Sequence, residues 1–309
     1  MKHRWLARTA AIVCAICLAM GVMSQTVFAR DNSLSQDDYL AEMPQATFVV
    51  LNGETDPTTP APEVIDNRLN VPLYVGGGQA GTCDIIGGVP YMSVTAFFDA
   101  AGLDAQVIDY GSALSLAMQG IMLTAQAGQN YFVCNERYLY VENGVQNLGG
   151  ALALPVELLV KCTGLTASWD RLAWQVNVNS GPAKPLESGE TYYDQSDLYW
   201  LSRLIFAMAG TESFQTRVAV GSVCVNRLGN PAFAGQSNIY EVVFAKNQFD
   251  MVTNGMIYVE PDEDSVLAAK LALEGCDPVG GATYVSVNDL GAGYERVAQM
   301  GKLQFFEAA

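Results

Sequence analysis

The sequence predicts an α+β protein: a β-rich unit with an internal repeat, followed by a mostly helical unit with a small β element. Three observations predict it. Short alternating runs, Tyr131-Phe132-Val133, Tyr138-Leu139-Tyr140-Val141 and Trp174-Gln175-Val176-Asn177-Val178, fill the middle of the chain. A Gly-Gly then Gly-Leu pattern occurs twice there, 62 residues apart. Beyond residue 195 the apolar period becomes helical, with Leu198, Leu201, Ile205 and Met208 on one face. The 309 residues, half of them apolar, suffice for two domains with sizeable cores.

Residues 1–29 read as a secretory signal peptide. Lys2, Arg4 and Arg8 make a basic start, an apolar stretch runs from Ala10 to Met23, and Val27-Phe28-Ala29 offers a cleavage site. The stretch falls short of the ~20 apolar residues of a membrane span, so no stable membrane insertion is expected after its removal. Removal takes three of the 16 basic residues and none of the 32 acidic ones, moving the net charge from −16 to −19. With no cluster of Lys and Arg to neutralise phosphates, nucleic acid is not an expected partner. The only histidine, His3, leaves with the leader. A mature chain without histidine cannot run a Ser-His-Asp triad or a Cys-His dyad, nor build a His-containing catalytic zinc site. Acid–base work falls to Asp, Glu, Tyr, Lys and Cys, and neither cofactor nor metal is expected. The remaining cysteines are Cys83, Cys134, Cys162, Cys224 and Cys276. An odd number without a C-x-x-C pair argues against a dense disulfide framework or a zinc knuckle, and leaves room for one or two bridges.

Residues 30–66 form an acidic linker with eight carboxylates and one arginine. Pro57-Thr58-Thr59-Pro60-Ala61-Pro62 reads as extended chain, and Thr47–Leu51 as one isolated strand. The β-rich unit spans 67–180. Its first repeat runs from Gly87-Gly88-Val89-Pro90-Tyr91-Met92-Ser93-Val94 to Gly102-Leu103-Asp104-Ala105. The second runs from Gly149-Gly150-Ala151-Leu152-Ala153-Leu154-Pro155-Val156 to Gly164-Leu165-Thr166-Ala167. Each copy should hold a short amphipathic helix with a glycine stop, buried through Val94, Phe97 and Phe98 in the first and Val156, Leu159 and Val160 in the second. The G-x-P-Y-x-x-V and G-L-x-A segments, with Thr166-Ala167-Ser168-Trp169-Asp170 closing the second copy, resemble the copper amine oxidase N-terminal-like domain. The resemblance implies a β-rich stalk or docking module. It brings no copper, because the mature chain lacks histidine ligands.

A second linker spans 181–195, and the helical unit 196–309. Its first helix should stop at Gly210. A second should run from Ser213 to Leu228, buried through Phe214, Val218, Gly221 and Val225, and end at Gly229 and Pro231. A third should run from Pro261 to Gly275, with Asp262, Glu263 and Asp264 facing the positive end of its dipole. Ala282–Val287 should be a strand.

The order of features in this unit carries the functional signal. Leu204-Ile205-Phe206-Ala207-Met208-Ala209-Gly210-Thr211-Glu212 is followed by Val218-Ala219-Val220, Val225-Asn226-Arg227 and Pro231-Ala232-Phe233. Then come Ile239–Phe244, Gln248-Phe249, Asn254-Gly255 and Asp277-Pro278-Val279-Gly280-Gly281-Ala282-Thr283-Tyr284. This series resembles the cell wall hydrolase family of spore cortex-lytic enzymes (SleB-like). The resemblance implies a lysozyme-related fold, peptidoglycan as partner, a wall-associated or extracellular location, and lytic transglycosylase-type cleavage of the glycan strand. One carboxylic acid suffices for that reaction, which suits a chain without histidine.

Two departures from the family motif matter. Where Ala-Glu-Ala-x-Gly-Glu supplies the family's acid, this chain has Met208, and only the second carboxylate, Glu212, remains. Where Ile-Gly-x-His-x-Phe is usual, Met300-Gly301-Lys302-Leu303-Gln304-Phe305 stands, with Leu303 in place of histidine. A thioether donates no proton, so turnover should fall by roughly 10²–10⁴-fold unless Glu212 takes over. The competing expectations are that Glu212 merely opens the second helix and that Met208 belongs to the core. That leaves either an enzyme acting through Glu212 or a non-catalytic peptidoglycan-binding descendant. Expected sugar contacts are Gln248, Phe249, Asn254, Gly281 and Tyr284. Their plainer roles are loop and turn chemistry for Gln248, Asn254 and Gly281, and strand filling for Tyr284. Asn226 and Arg227 are expected to cap and brace a helix, and Glu241 and Glu260 to be solvated.

Overall fold

Glycine turns and alternating apolar residues build the first half of the structure. The computed structural model describes residues 69–309. The expected leader, the acidic linker and the strand at Thr47–Leu51 lie outside the described residues. The first half contains β1 (Leu69–Val75), β2 (Gly78–Ile86), β3 (Val89–Ser93) and α1 (Val94–Ala100). Next come β4 (Gln106–Asp109), β5 (Ala113–Met118), β6 (Ile121–Gln126), β7 (Tyr131–Cys134) and β8 (Arg137–Tyr140). It closes with β9 (Gln146–Leu148), β10 (Ala151–Pro155), α2 (Val156–Thr163), β11 (Ala167–Asp170) and β12 (Gln175–Val178). Strands β4 to β8 form an antiparallel meander, while the other seven order as β11-β12-β1-β2-β3-β10-β9, with only β1 and β12 parallel. The inward faces, such as Leu114 and Leu116 on β5 and Ile121 and Leu123 on β6, share one core with Phe97, Phe98, Leu159 and Val160 of the helices.

The internal repeat is visible in this architecture. Each copy is a Gly-Gly turn, a strand and a short helix, and the two strands pair with each other: β3 and β10 run antiparallel, with Tyr91 opposite Pro155, Met92 opposite Leu154 and Ser93 opposite Ala153. Met92 and Leu154 are equivalent positions in the 62-residue frame. The copies are therefore related by a pseudo-two-fold axis through that pair. The helix faces are buried at Val94, Phe97 and Phe98 and at Val156, Leu159 and Val160, as the pattern predicts.

The segment after β12 is fastened down. Lys184 and Leu186 donate main-chain hydrogen bonds to Thr163 and Cys162, Gly189 donates to Asn135, and the Asn135 amide donates to Leu186. It ends in a turn of helix, α3 (Gly189–Tyr192).

The second half begins with α4 (Gln195–Ala209), capped by Asp194, and α5 (Phe214–Val225), capped by Ser213. Then come α6 (Ile239–Val243), α7 (Asp250–Thr253) and α8 (Glu263–Leu273), followed by β13 (Tyr284–Ser286), β14 (Tyr294–Met300) and β15 (Leu303–Ala308) in the order β13-β15-β14. The core position in the last turn of α4 belongs to Ala209; Met208 is half-buried, because the stripe through Leu201, Leu204 and Ile205 continues to residue 209. Helix α5 is buried on every side rather than along one stripe, since it packs against α4, α6, α8 and β13. Its expected last apolar contact, Val225, is half-buried. Gly221 lies where α5 meets both neighbours: a Cβ there would sit 2.8 Å from Ala272 Cβ and 3.0 Å from Ile205 Cδ1.

The halves are joined through Glu274, which caps the C-terminus of α8. Its carboxylate accepts from Arg137 Nε at 2.5 Å and Nη2 at 2.7 Å, from Tyr193 Oη at 3.2 Å and from Lys161 Nζ at 3.4 Å. Among the described residues no helix is long and apolar enough to cross a membrane.

Candidate active site

The motif end of the site is built at the junction of α4 and α5. Helix α4 stops at Gly210, whose N–H still donates to Phe206 O, and Glu212 N–H donates back to Ala209 O at 2.9 Å. Ser213 then accepts from Thr216 N–H and opens α5. Arg217 holds this junction from below. Its Nη2 donates to Gly210 O at 2.7 Å and its Nε to Glu212 O at 3.4 Å. Its charge goes elsewhere: Nη1 lies 2.8 Å from both carboxylate oxygens of Asp262. Burial alone would raise the Asp262 carboxyl, but hydrogen bonds from Ser265 and Arg217 outweigh it and hold the group below its usual range.

Glu212 is thus fixed through its main chain while its half-buried carboxylate forms no ion pair with any described residue. That carboxylate lies against Gly301, at the turn between β14 and β15; a Cβ on Gly301 would overlap its Oε2. Leu303, which stands for the usual histidine, follows two residues later and is buried. Met208 lies four residues before Glu212 and carries no ionisable proton.

The second cluster forms beyond the C-terminus of α5, around Arg227. Its guanidinium is buried, donates from Nε to Thr283 O at 2.7 Å and from Nη1 to Gln248 Oε1 at 3.0 Å, and lies over the rings of Phe233 (4.8 Å), Phe249 (5.2 Å) and Tyr284 (5.4 Å). Burial pulls the pKa of Arg227 down from its ordinary value; the group stays charged because that value is so high. Tyr284 also packs edge-on against Tyr294 at 4.9 Å. Neighbouring Asn226 donates to Asp277 Oδ2 and Ala282 O, both at 3.1 Å, and Asp277 Oδ2 accepts from Gly281 N–H at 2.6 Å. The loop carrying Gly281 is therefore pinned to the same helix end, with Gly281 itself exposed.

The structure thus brings Gln248, Phe249, Tyr284 and, through Asp277, Gly281 to one end of α5. Asn254 is not joined to them by any described contact: its Oδ1 accepts from Met256 N–H and its amide reaches Met251, so it shapes its own turn. Glu212 stands at the opposite end of α5, a 12-residue helix about 18 Å long. It is flanked by Gly301, not by Tyr284 and Gln248. Arg217 and Arg227 organise the two ends and were missed or underread in the sequence. Arg217 left a signal, a cation inside the buried run Phe214–Cys224; Arg227 left only its place at a helix end. Of the two carboxylates expected to be solvated, Glu260 pairs with Arg203 while staying exposed, and Glu241 accepts from Ser237, whose main-chain and hydroxyl hydrogen bonds hold it below its ordinary pKa.

The five described cysteines are free and buried. Burial pushes the thiols of Cys83, Cys224 and Cys276 up to about 12, so none of these supplies a thiolate near neutral pH. No group of three or more His, Cys, Asp or Glu is placed to hold a metal among the described residues.

Comparison with known proteins agrees with the motif. Residues 211–306 match the Cell Wall Hydrolase family model. The chain is 38% identical over 92 residues to a spore cortex-lytic enzyme of Halalkalibacterium halodurans, covering 30% of this chain and 27% of that protein. It is 27% identical over 149 residues to the Bacillus cereus spore cortex-lytic enzyme, covering 45% of this chain and 56% of that protein. The chain thus spans between about a quarter and a little over half of these relatives. Among solved structures, the catalytic domain of the germination-specific lytic transglycosylase SleB from Bacillus anthracis is 27% identical, covering 37% of this chain and 97% of that one at a TM-score of 0.34. Residues 211–306 thus match a cell wall hydrolase domain, and this part of the chain is similar to the spore cortex-lytic enzymes.

Proposed function

We propose that this chain is a secreted protein that acts on the glycan strands of peptidoglycan, cleaving them as a lytic transglycosylase with Glu212 as its one acid–base group. The observation that carries the reading is the state of Glu212. It is the motif carboxylate that survives, its backbone is fixed by Ala209 and Arg217, and its carboxylate is left out of the neighbouring Arg217–Asp262 pair.

Protonated Glu212 would give its proton to the glycosidic oxygen as the bond to the anomeric carbon breaks. The resulting carboxylate would take the proton of the sugar's own hydroxyl, which closes onto the anomeric carbon. The product is an anhydro sugar, and water is not consumed. Gln248, Phe249, Gly281 and Tyr284 gather at the other end of α5, a helix about 18 Å long, so they would hold a more distant part of the same strand rather than the scissile bond. Residues 67–180 would serve as a stalk, residues 1–29 as the export signal, and the wall as the site of action.

Met208 and Leu303 favour a second reading, a binding protein descended from such enzymes that keeps the strand contacts and no longer cleaves. Digestion of purified peptidoglycan separates the two. Release of anhydro-muropeptides that stops in Glu212→Gln supports the enzyme; capture of peptidoglycan without any product supports the binder.

A further inference from the structure

A group of rings lies outside the two clusters described above. The Trp200 ring makes edge contacts with Tyr199 and Phe244 at 4.8 Å, with Tyr240 at 5.8 Å and with Tyr258 at 6.3 Å, and Tyr240 stacks on Phe244 at 4.5 Å. The rings come from α4, from α6 with its C-cap, and from the turn Met256–Tyr258. Tyr258 is 63% exposed, Tyr240 48% and Tyr199 46%. Rings that serve only the core do not remain this open, and a contiguous exposed patch of them marks a binding surface.

Beside the rings stands a charged pair. Arg203 lies over the Tyr199 ring at 3.7 Å and bonds to Glu260, whose side chain is 82% exposed. Arg203 itself is more than nine-tenths buried, and its Nε has no acceptor among the described residues. A buried donor without an acceptor is costly, and the Arg203–Glu260 pair is the polar group that borders the rings.

We infer that this face is a second glycan-binding surface, on which the C–H face of an N-acetylated amino sugar lies against Tyr240, Tyr258 and Trp200 while its polar rim meets Arg203 and Glu260. A pyranose is apolar on the face and polar at the edge. Tyrosine matches it with an apolar ring and a hydrogen-bonding tip, and the Arg–Glu pair offers both donor and acceptor to hydroxyl and acetamide groups. Phe244 is followed within five residues by Gln248 and Phe249, so a short stretch of chain links the rings to the Arg227 cluster. The inference rests on the reading of this chain as a glycan-strand protein and extends it to a further set of residues, on α4, α6 and the turn Met256–Tyr258.

The test uses the full mature chain, soluble N-acetylglucosamine oligosaccharides followed by tryptophan fluorescence, and a pull-down with purified peptidoglycan. The Tyr240→Ala/Tyr258→Ala double variant removes two exposed rings, with circular dichroism to verify its fold. Tyr110→Ala, at a ring 58% exposed on the other half of the molecule, is the control. The expected result is saturable oligosaccharide binding that the double variant weakens about tenfold and Tyr110→Ala leaves unchanged. Oligosaccharide binding unaltered in the double variant overturns the inference, as does wild type that captures peptidoglycan but no oligosaccharide; both leave the glycan-strand reading standing. A wild-type chain that captures neither ligand, or that needs a protein in the wall preparation for capture, overturns both.

Discussion

Replacing Glu274 by alanine tests how the two halves are held together. The Glu274 side chain is 1% exposed and that of Arg137 6%, so the substitution leaves a guanidinium buried beside Tyr192 and Tyr193 with its carboxylate gone. Breaking a buried pair in this way costs about 3–5 kcal/mol. The two Arg137 hydrogen bonds account for most of it. Lys161, with its side chain 39% exposed, adds well under about 1 kcal/mol after solvent screening. For a folded unit of this size each kcal/mol shifts the melting temperature by about 2–4 °C, so Glu274→Ala should melt about 10 °C lower. Calorimetry and urea unfolding read this directly, with Lys161→Ala as the small-effect comparison. A Glu274→Ala protein within about 0.5 kcal/mol of wild type would refute the reasoning, since it would mean that the Arg137 charge finds water or another partner at no cost.

Other outcomes follow from single contacts. Gly301→Ala places a methyl group on the Glu212 carboxylate and forces a side chain into a backbone with φ of 55°; it should lower stability by about 1 kcal/mol in urea unfolding and displace Glu212, which digestion or peptidoglycan capture would register. Gly221→Ala should cost about 1–3 kcal/mol by overpacking against Ala272 and Ile205, measured by the same unfolding curves. Arg227→Lys keeps the charge but not the fork that reaches Thr283 and Gln248, so peptidoglycan capture should weaken while circular dichroism stays native. Asp262, held below its usual range, contributes stability that is fully present above the unfolded carboxyl value of about 3.9 and is lost as pH falls through the lower folded value. Asp262→Asn should therefore flatten the acid limb of a stability–pH curve, by about 1 kcal/mol or less given its exposure.

Local pattern was a good guide where the chain folds on itself over short distances. Gly87-Gly88 and Gly149-Gly150 announced the two strand–helix copies, and Phe97-Phe98 and Leu159-Val160 their buried faces. The pairing of β3 with β10 was not legible, because a repeat in sequence does not say which copies touch. In the helical half, Asp262 and Ser213 marked their helix starts, yet α5 was read as one-sided when it is enclosed by its neighbours. At the site, motif order led to Glu212 and to Gln248, Phe249 and Tyr284. Their separation by the length of α5 was not legible, since linear order carries no distance. Glu274 and Arg137 lie 137 residues apart, and nothing local distinguishes them from solvated charges. The Trp200 surface likewise gathers residues 199 to 258 from three elements, each unremarkable alone.

The most direct test of the account is digestion of purified peptidoglycan by the full mature chain, with wild type, Glu212→Gln and Met208→Glu compared by mass spectrometry of the products. Wild type is expected to release anhydro-muropeptides, Glu212→Gln none, and Met208→Glu, which restores the acid of the family motif, to release them faster. Product release that survives Glu212→Gln unchanged, or a wild type that binds peptidoglycan and releases nothing, would contradict it.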